Sequence, residues 1–160
     1  MKRKDGTNRL ERMIVNDLKA RSKDLENNRK LFPLIPYHLP EVVKAIDAGD
    51  TIWIAEGEKD VDRLRSLGLV ATCNAGGPFK WKAEHAHHLK GAAKVNVIAD
   101  RDPEGYGHAC RIIDTLAAVG INATVFHAAE GNDASDHLDA GHSIDDLVAI
   151  DPWTFQVKGS

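Results

Sequence analysis

Four short apolar runs, TIWIA (51–55), LVATC (69–73), KVNVIAD (94–100) and ATVFHA (123–128), alternate with stretches whose apolar residues recur at helical spacing. No other feature narrows the fold as much. Strands and helices taking turns predict a mostly parallel sheet covered by helices on both faces, because parallel strands need crossover connections and each face must then be buried. Pro40 suits the first turn of a helix through EVVKAIDAG, which Gly49 closes. DVDRLRSLG places Val61, Leu64 and Leu67 on one helical face, and residues 104–119 do the same with Tyr106, Ala109, Ile113 and Leu116 before stopping at Gly120. WKAEHAHHLKG reads as helical. SIDDLVAI has Ser143 followed three residues on by Asp146, which matches the start of a capped helix.

Ligands of open α/β sheets bind beyond the carboxyl ends of the strands, so the residues just past each run carry the functional information. Acids stand at three such places. Glu56 follows the first strand in EGEKD, Asp100 and Asp102 follow the third in DRDPEG, and Asp133 and Asp136 follow the last in GNDASD. If the third strand stays extended, Asp100 and Asp102 project to the same side. Two carboxylates held together repel, and a hard divalent ion such as Mg²⁺ or Mn²⁺ offsets that charge while keeping sites for water and substrate phosphates. Each acid alone also fits a helix cap. Gly57 and Gly105 leave room for a ligand to approach the backbone.

Rival motifs fit less well. DRDPEGYGHACR matches several positions of a calcium-binding helix–loop–helix, but Arg111 stands where the bidentate Glu is required, and a strand precedes it. A DxDx(T/V) phosphotransfer motif is broken by Glu104. His85, His87 and His88 are spaced so that only 85 and 88 share a helix face, which reads as an exposed surface rather than a zinc site. Gly76-Gly77-Pro78 reads as a strand-to-helix turn whose N–H groups are also suited to a phosphate.

Taken together, IAEGEKD, VIADRDPEG with its following helix, and GNDASDHLDAG with SIDDL resemble the three signature regions of the Toprim (topoisomerase-primase) domain over about residues 50–150. Within that family, the segment YHLPEVVKAIDAGDTIWIAEGEKD and the loop NAGGPFKW look most like primases of phages and mobile elements, including primase-helicases. The third motif departs from the family pattern, with Asn132 where a lysine is common.

The resemblance implies a Rossmann-like Toprim fold over residues 40–151, preceded by a basic helical extension and proline-rich connector (1–39) and followed by a tail (152–160). It implies metal-dependent nucleotidyl transfer making short RNA primers on a single-stranded DNA template from NTPs. Glu56, Asp100 and Asp102 become the catalytic residues. Glu56, Asp100, Asp102, Asp133 and Asp136 become the candidate ligands of Mg²⁺ or Mn²⁺. Lys59, Lys80, Arg101 and Gly57 become nucleotide or nucleic-acid contacts. The zinc ribbon and the GxxxxGK[ST] ATPase loop that accompany such primases do not occur in this sequence, so a zinc-ribbon or helicase partner is expected. The same acids suit a Toprim nuclease, and a non-catalytic nucleic-acid-binding module of a replication complex is the remaining alternative.

Charge and hydropathy agree with a soluble enzyme. Residues 1–30 hold ten Lys/Arg against five Asp/Glu, while the remainder holds 11 against 19, so a basic arm precedes an acidic body. Leu10, Met13, Ile14 and Leu18 give that arm the pattern of an amphipathic helix over residues 7–25. An acidic body excludes tight binding of nucleic acid through phosphate contacts alone. No apolar run approaches the roughly 20 residues of a membrane span, and the basic start lacks the apolar core of a secretory signal. A cytoplasmic location without a membrane partner is expected, the host cytoplasm if the protein is phage-encoded. Cys73 and Cys110 form no CxxC pair and read as small core residues.

Overall fold

Each apolar run becomes a strand, and the periodic stretches within residues 40–119 become helices, in the computed structural model, which describes residues 34–156 together with 13, 14, 16 and 17. The elements run α1 (Leu39–Ala48), β1 (Thr51–Ile54), α2 (Glu58–Ser66), β2 (Val70–Thr72), α3 (Ala83–His87), β3 (Lys94–Ala99), α4 (Pro103–Ala118), β4 (Thr124–His127), α5 (Ala134–Asp139) and β5 (Val148–Ile150). One-turn 3₁₀ helices occupy Ile144–Asp146 and Pro152–Phe155. The chain divides into two units, Met1–Pro33 and Leu34–Ser160, so the division falls inside the proline-rich connector. In the first unit, Met13, Ile14, Asn16 and Asp17 are helical, and the rest of the helix expected over 7–25 lies outside the described residues.

The strand order is β2-β1-β3-β4-β5, with all neighbours parallel except β4 and β5. The chain leaves β1 toward β2 and then returns to build β3 on the other side of β1. The carboxyl ends of β1 and β3 therefore flank the point where winding reverses, and the crossover helices part there to leave a crevice.

Strand alternation divides the core into two layers. Ile52, Ile54, Val95, Val97 and Ala99 pack with residues of α1, α3 and α4 on one face, while Trp53, Ala55 and Ile98 pack with Val61, Leu64 and Ala134 on the other. Val42, Val61, Leu64 and Leu116 are fully buried, and each contributes about 1.5–3 kcal/mol of hydrophobic stabilisation. Gly49 closes α1 at φ +74°, as its spacing after Pro40 predicts. Both cysteines are buried free thiols, and burial pushes Cys73 up to about 12 and Cys110 up to about 11. Among the described residues no helix is long and apolar enough to cross a membrane.

Two expectations need correction. SIDDLVAI does form its capping box, with Ser143 N–H donating to Asp146 Oδ2 at 2.8 Å, but the helix stops after one 3₁₀ turn. Val148–Ile150 instead pairs with β4 as an antiparallel edge strand. Within the histidine-rich segment His87 is exposed and His88 half-buried, but His85 departs from the expected exposed face. His85 is fully buried, stacked on Trp81 at 5.0 Å, and its Nδ1 accepts from Lys82 N–H.

At the other edge of the sheet, the segment entering α1 lies against β2. Tyr37 N–H donates to Cys73 O at 2.9 Å, and Thr72 Oγ1 donates to Tyr37 O at 2.6 Å.

Candidate active site

The register of the sheet assembles the site. Ile54 lies opposite Val97 in the parallel β1–β3 ladder, so two residues further on Glu56 is level with Ala99, the residue before Asp100. Their carboxyls meet at the switch point and share a hydrogen bond. Burial is the main cause that lifts Asp100 to about 9, followed by its hydrogen bond with Glu56 and the Glu56 charge, with Asp60 and Asp133 adding to the same direction. Glu56 is also raised, first by burial and then by the charges of Asp102, Asp60 and Glu104, against the opposing effect of its hydrogen bond with Asp100. Asp100 accordingly keeps its proton near neutral pH. Glu56 Oε2 is buried with no N–H or O–H donor supplied to it among the described residues.

The other acids have local work. Asp102 caps α4, its Oδ1 accepting from Gly105 N–H at 2.6 Å, so the chain turns after Asp100 instead of remaining extended. Gly105 is correspondingly not an opening for a ligand. A Cβ there would lie 2.3 Å from Asp100 O, so the glycine lets the first turn of α4 close onto the end of β3. Gly57, the residue before α2, has open space where its Cβ would be.

Asp133 caps α5, with Oδ1 accepting from Asp136 N–H at 2.8 Å and Oδ2 accepting from Lys59 Nζ at 3.1 Å. Asp136 completes the box by accepting from Asp133 N–H at 3.4 Å and also accepts from Asn132 N–H at 2.8 Å, and these backbone bonds hold its carboxyl below the usual range. Asn132 also anchors the neighbouring loop through its carbonyl, which accepts from Arg101 N–H at 2.8 Å. Arg101 and Lys80 are exposed.

Asp60, which the strand-end pattern did not single out, is the buried acid beside this group. Its Oδ1 accepts from Ser135 N–H at 3.1 Å and from Ser135 Oγ at 2.5 Å, tying α2 to α5. Burial raises Asp60, and the Ser135 bonds counter that rise. The contact spans 75 residues, and only the helical placement of Asp60 beside Val61 and Leu64 hinted that it faces inward. Ser135→Ala should cost about 1–2 kcal/mol, since it leaves a buried carboxylate with one donor. An unchanged urea midpoint would show that Asp60 finds equal solvation without the hydroxyl.

The donor set fits a hard divalent ion. A buried carboxylate oxygen without a donor, beside a second carboxyl that keeps its proton, is the arrangement that a cation relieves. Among the described residues no three His, Cys, Asp or Glu side chains converge on one point. The fit is therefore to an ion held by one or two carboxylates with the remaining positions left to water and phosphate, the common habit of Mg²⁺.

A five-stranded, mostly parallel sheet in this order matches the Toprim fold of primase catalytic cores. Among solved structures, the DnaG primase catalytic domain bound to ssDNA matches with a TM-score of 0.56 and 20% identity, covering 71% of this chain and 40% of that one. The DnaG catalytic core matches with a TM-score of 0.56 and 21% identity over 75% of this chain and 41% of that one. The E. coli primase catalytic core gives 0.56 and 21% over 71% and 39%. The chain thus spans about two fifths of the length of those cores. No protein-family model and no curated protein matches it in sequence.

Proposed function

We propose that this chain is the catalytic module of a Toprim-type DNA primase, performing metal-dependent nucleotidyl transfer that makes short RNA primers on single-stranded DNA. The observation that carries the reading is the Glu56–Asp100 pair at the switch point, two carboxyls in hydrogen-bond contact with a buried Glu56 oxygen left without a donor. The likeness of the fold to primase cores, one of them bound to ssDNA, supports the same direction.

Primer extension joins a ribose 3′-hydroxyl to the α-phosphate of an NTP. Such a transfer needs positioning, neutralisation of phosphate charge and removal of a proton from the nucleophile. Glu56 and Asp100 would hold Mg²⁺ or Mn²⁺, which when bound supplies the charge neutralisation. Glu56 Oε2, buried and without a donor, is placed to accept a proton. Asp102, Asp133 and Asp136 add negative charge around the pair while fixing the starts of α4 and α5, and are the further ligand candidates. Lys59, held by Asp133, and Arg101, whose backbone N–H donates to Asn132 O, would meet phosphates. Lys80 and Gly57 are the remaining candidate contacts. A zinc-ribbon or helicase partner would supply template recognition.

The engaged oxygens of Asp102, Asp133 and Asp136 favour one competitor, a non-catalytic module that binds nucleic acid in a replication complex. Incubating the protein with Mg²⁺ or Mn²⁺, labelled NTPs and mixed single-stranded DNA separates the readings. Short RNA products are expected. Template breakdown instead would make the protein a nuclease, and no reaction under any metal would leave the binding module.

A further inference from the structure

On the α4 face of the sheet, a groove of about 460 Å³ is lined by Phe79, Gly107, Cys110, Arg111, Thr115 and Trp153. We propose that this groove is a stacking seat for an unpaired nucleobase, held between the exposed rings of Phe79 and Trp153 and the Arg111 guanidinium. The inference deepens the primase reading, on which it rests for the presence of single-stranded nucleic acid, and it places a strand contact away from the carboxylate pair.

Phe79 is the residue that asks for an explanation. It is 44% exposed, yet it holds the left-handed conformation at φ +64°, which L side chains other than Asn and Asp rarely adopt. A loop that needed only to turn would take a glycine here, as it does at Gly76 and Gly77 immediately before. The conformation is clamped from both sides. Phe79 N–H donates to Nδ1 of buried His108 at 3.1 Å, and Phe79 O accepts from Arg111 Nη1 at 2.9 Å. Gly107 completes the fitting, because a Cβ at that position would stand 3.0 Å from Phe79 Cε1. Strain kept at a surface ring, and supported by a buried histidine, is of the kind that accompanies a binding role.

Trp153 lines the same groove from a fastened turn. Trp153, 50% exposed, sits in the 3₁₀ turn Pro152–Phe155. That turn is fastened by Phe155, whose ring stacks on Tyr106 at 4.3 Å and 16°, and Tyr106 is in turn hydrogen-bonded through its hydroxyl to His127 Nδ1 at 2.9 Å.

Two rigid aromatic rings and a guanidinium are the chemistry that receives a flat π-system, and stacking of this kind accepts every base. Asp114 and Gln156 in the same groove offer acceptors and donors to a base edge. Exposed Lys80 and Lys82, adjacent in sequence to the Phe79 wall, suit the phosphates on either side.

Trp53 and Trp81 are buried, so quenchable emission comes mainly from Trp153. Titration of the protein in EDTA with oligothymidylate is expected to quench that emission. Phe79→Gly should weaken binding about tenfold, the loss of one base–aromatic stack, while the melting temperature stays level or rises because the strained conformation suits glycine. Trp153→Leu should weaken binding similarly in an assay with a labelled oligonucleotide. Unchanged affinity in both aromatic variants, or no binding by the wild type, overturns the seat. The latter result would mark the aromatic pair as a protein-facing patch. Loss of primer synthesis in Asp100→Asn with unaltered binding by Phe79→Gly would reject the seat and keep the primase reading. Base-dependent quenching without any synthesis would do the reverse.

Discussion

Asp100→Asn is expected to reduce metal-dependent nucleotidyl transfer by about 10³-fold while making the metal-free protein more stable. The loss follows from chemistry, since an amide of the same shape neither carries the charge that holds a divalent ion nor balances the phosphates. The gain follows from linkage. The folded protein holds the Asp100 carboxyl at about 9, whereas an unfolded chain holds it near about 4, so the native state binds the extra proton throughout that interval. Stability tied to that proton is complete below about pH 4 and is lost as pH rises toward about 9. Near neutrality and above, the wild type is therefore penalised relative to an amide that never ionises. After allowance for solvent screening at this half-buried position, the difference is on the order of 1–2 kcal/mol. Melting curves in EDTA should fall with pH for the wild type and much less for the variant, and Mg²⁺ should raise the wild-type curve most at high pH. A variant with wild-type primer yield, or a wild type whose melting temperature ignores pH, would remove the Glu56–Asp100 pair from the mechanism.

Gly105→Ala should destabilise the fold by about 3 kcal/mol, lowering the melting temperature by roughly 10 °C. The added methyl would meet Asp100 O at 2.3 Å, and Asp100 C and Cβ at 2.8 Å. Those atoms are backbone or the root of a side chain, so either α4 lifts from β3 or the end of β3 bends. Both moves displace Asp100 from Glu56. Gly57→Ala is the matching control, because the space around that position is open and its φ of −138° suits any residue. Equal melting temperatures for the two alanine variants would show that the strand end yields without cost.

Glu56 and Asp100 were readable because each ends a run of apolar residues long enough to declare a buried strand, and the reversal of winding then brings those two ends side by side. Asp102 and Asp133 resisted the same reading. An acid that begins a helix and an acid that binds an ion have one sequence signature, and only the hydrogen bonds to Gly105 and Asp136 reveal the capping role. The last strand went unrecognised because three residues are too few to express a period of two, and the genuine Ser143–Asp146 box announces a helix that ends within a turn. His85 was misplaced for a different reason. A five-residue helix packs by its ends as much as by its face, and stacking on Trp81 decides its burial. The Asp60–Ser135 tie, like the clamp on Phe79, joins distant parts of the chain, and no local pattern encodes such a partner.

The hydrogen bonds of Tyr37 to the outer side of β2 bear on how the protein behaves at high concentration. An uncovered strand edge is a template on which a second chain can extend a sheet, and a parallel sheet that forms slowly is vulnerable to such growth. Here Tyr37 N–H takes up the carbonyl of Cys73 just past that edge strand, with the Thr72 hydroxyl holding the segment, and the opposite border is only the three residues of β5. Both borders are thereby poor nuclei for fibrous aggregation.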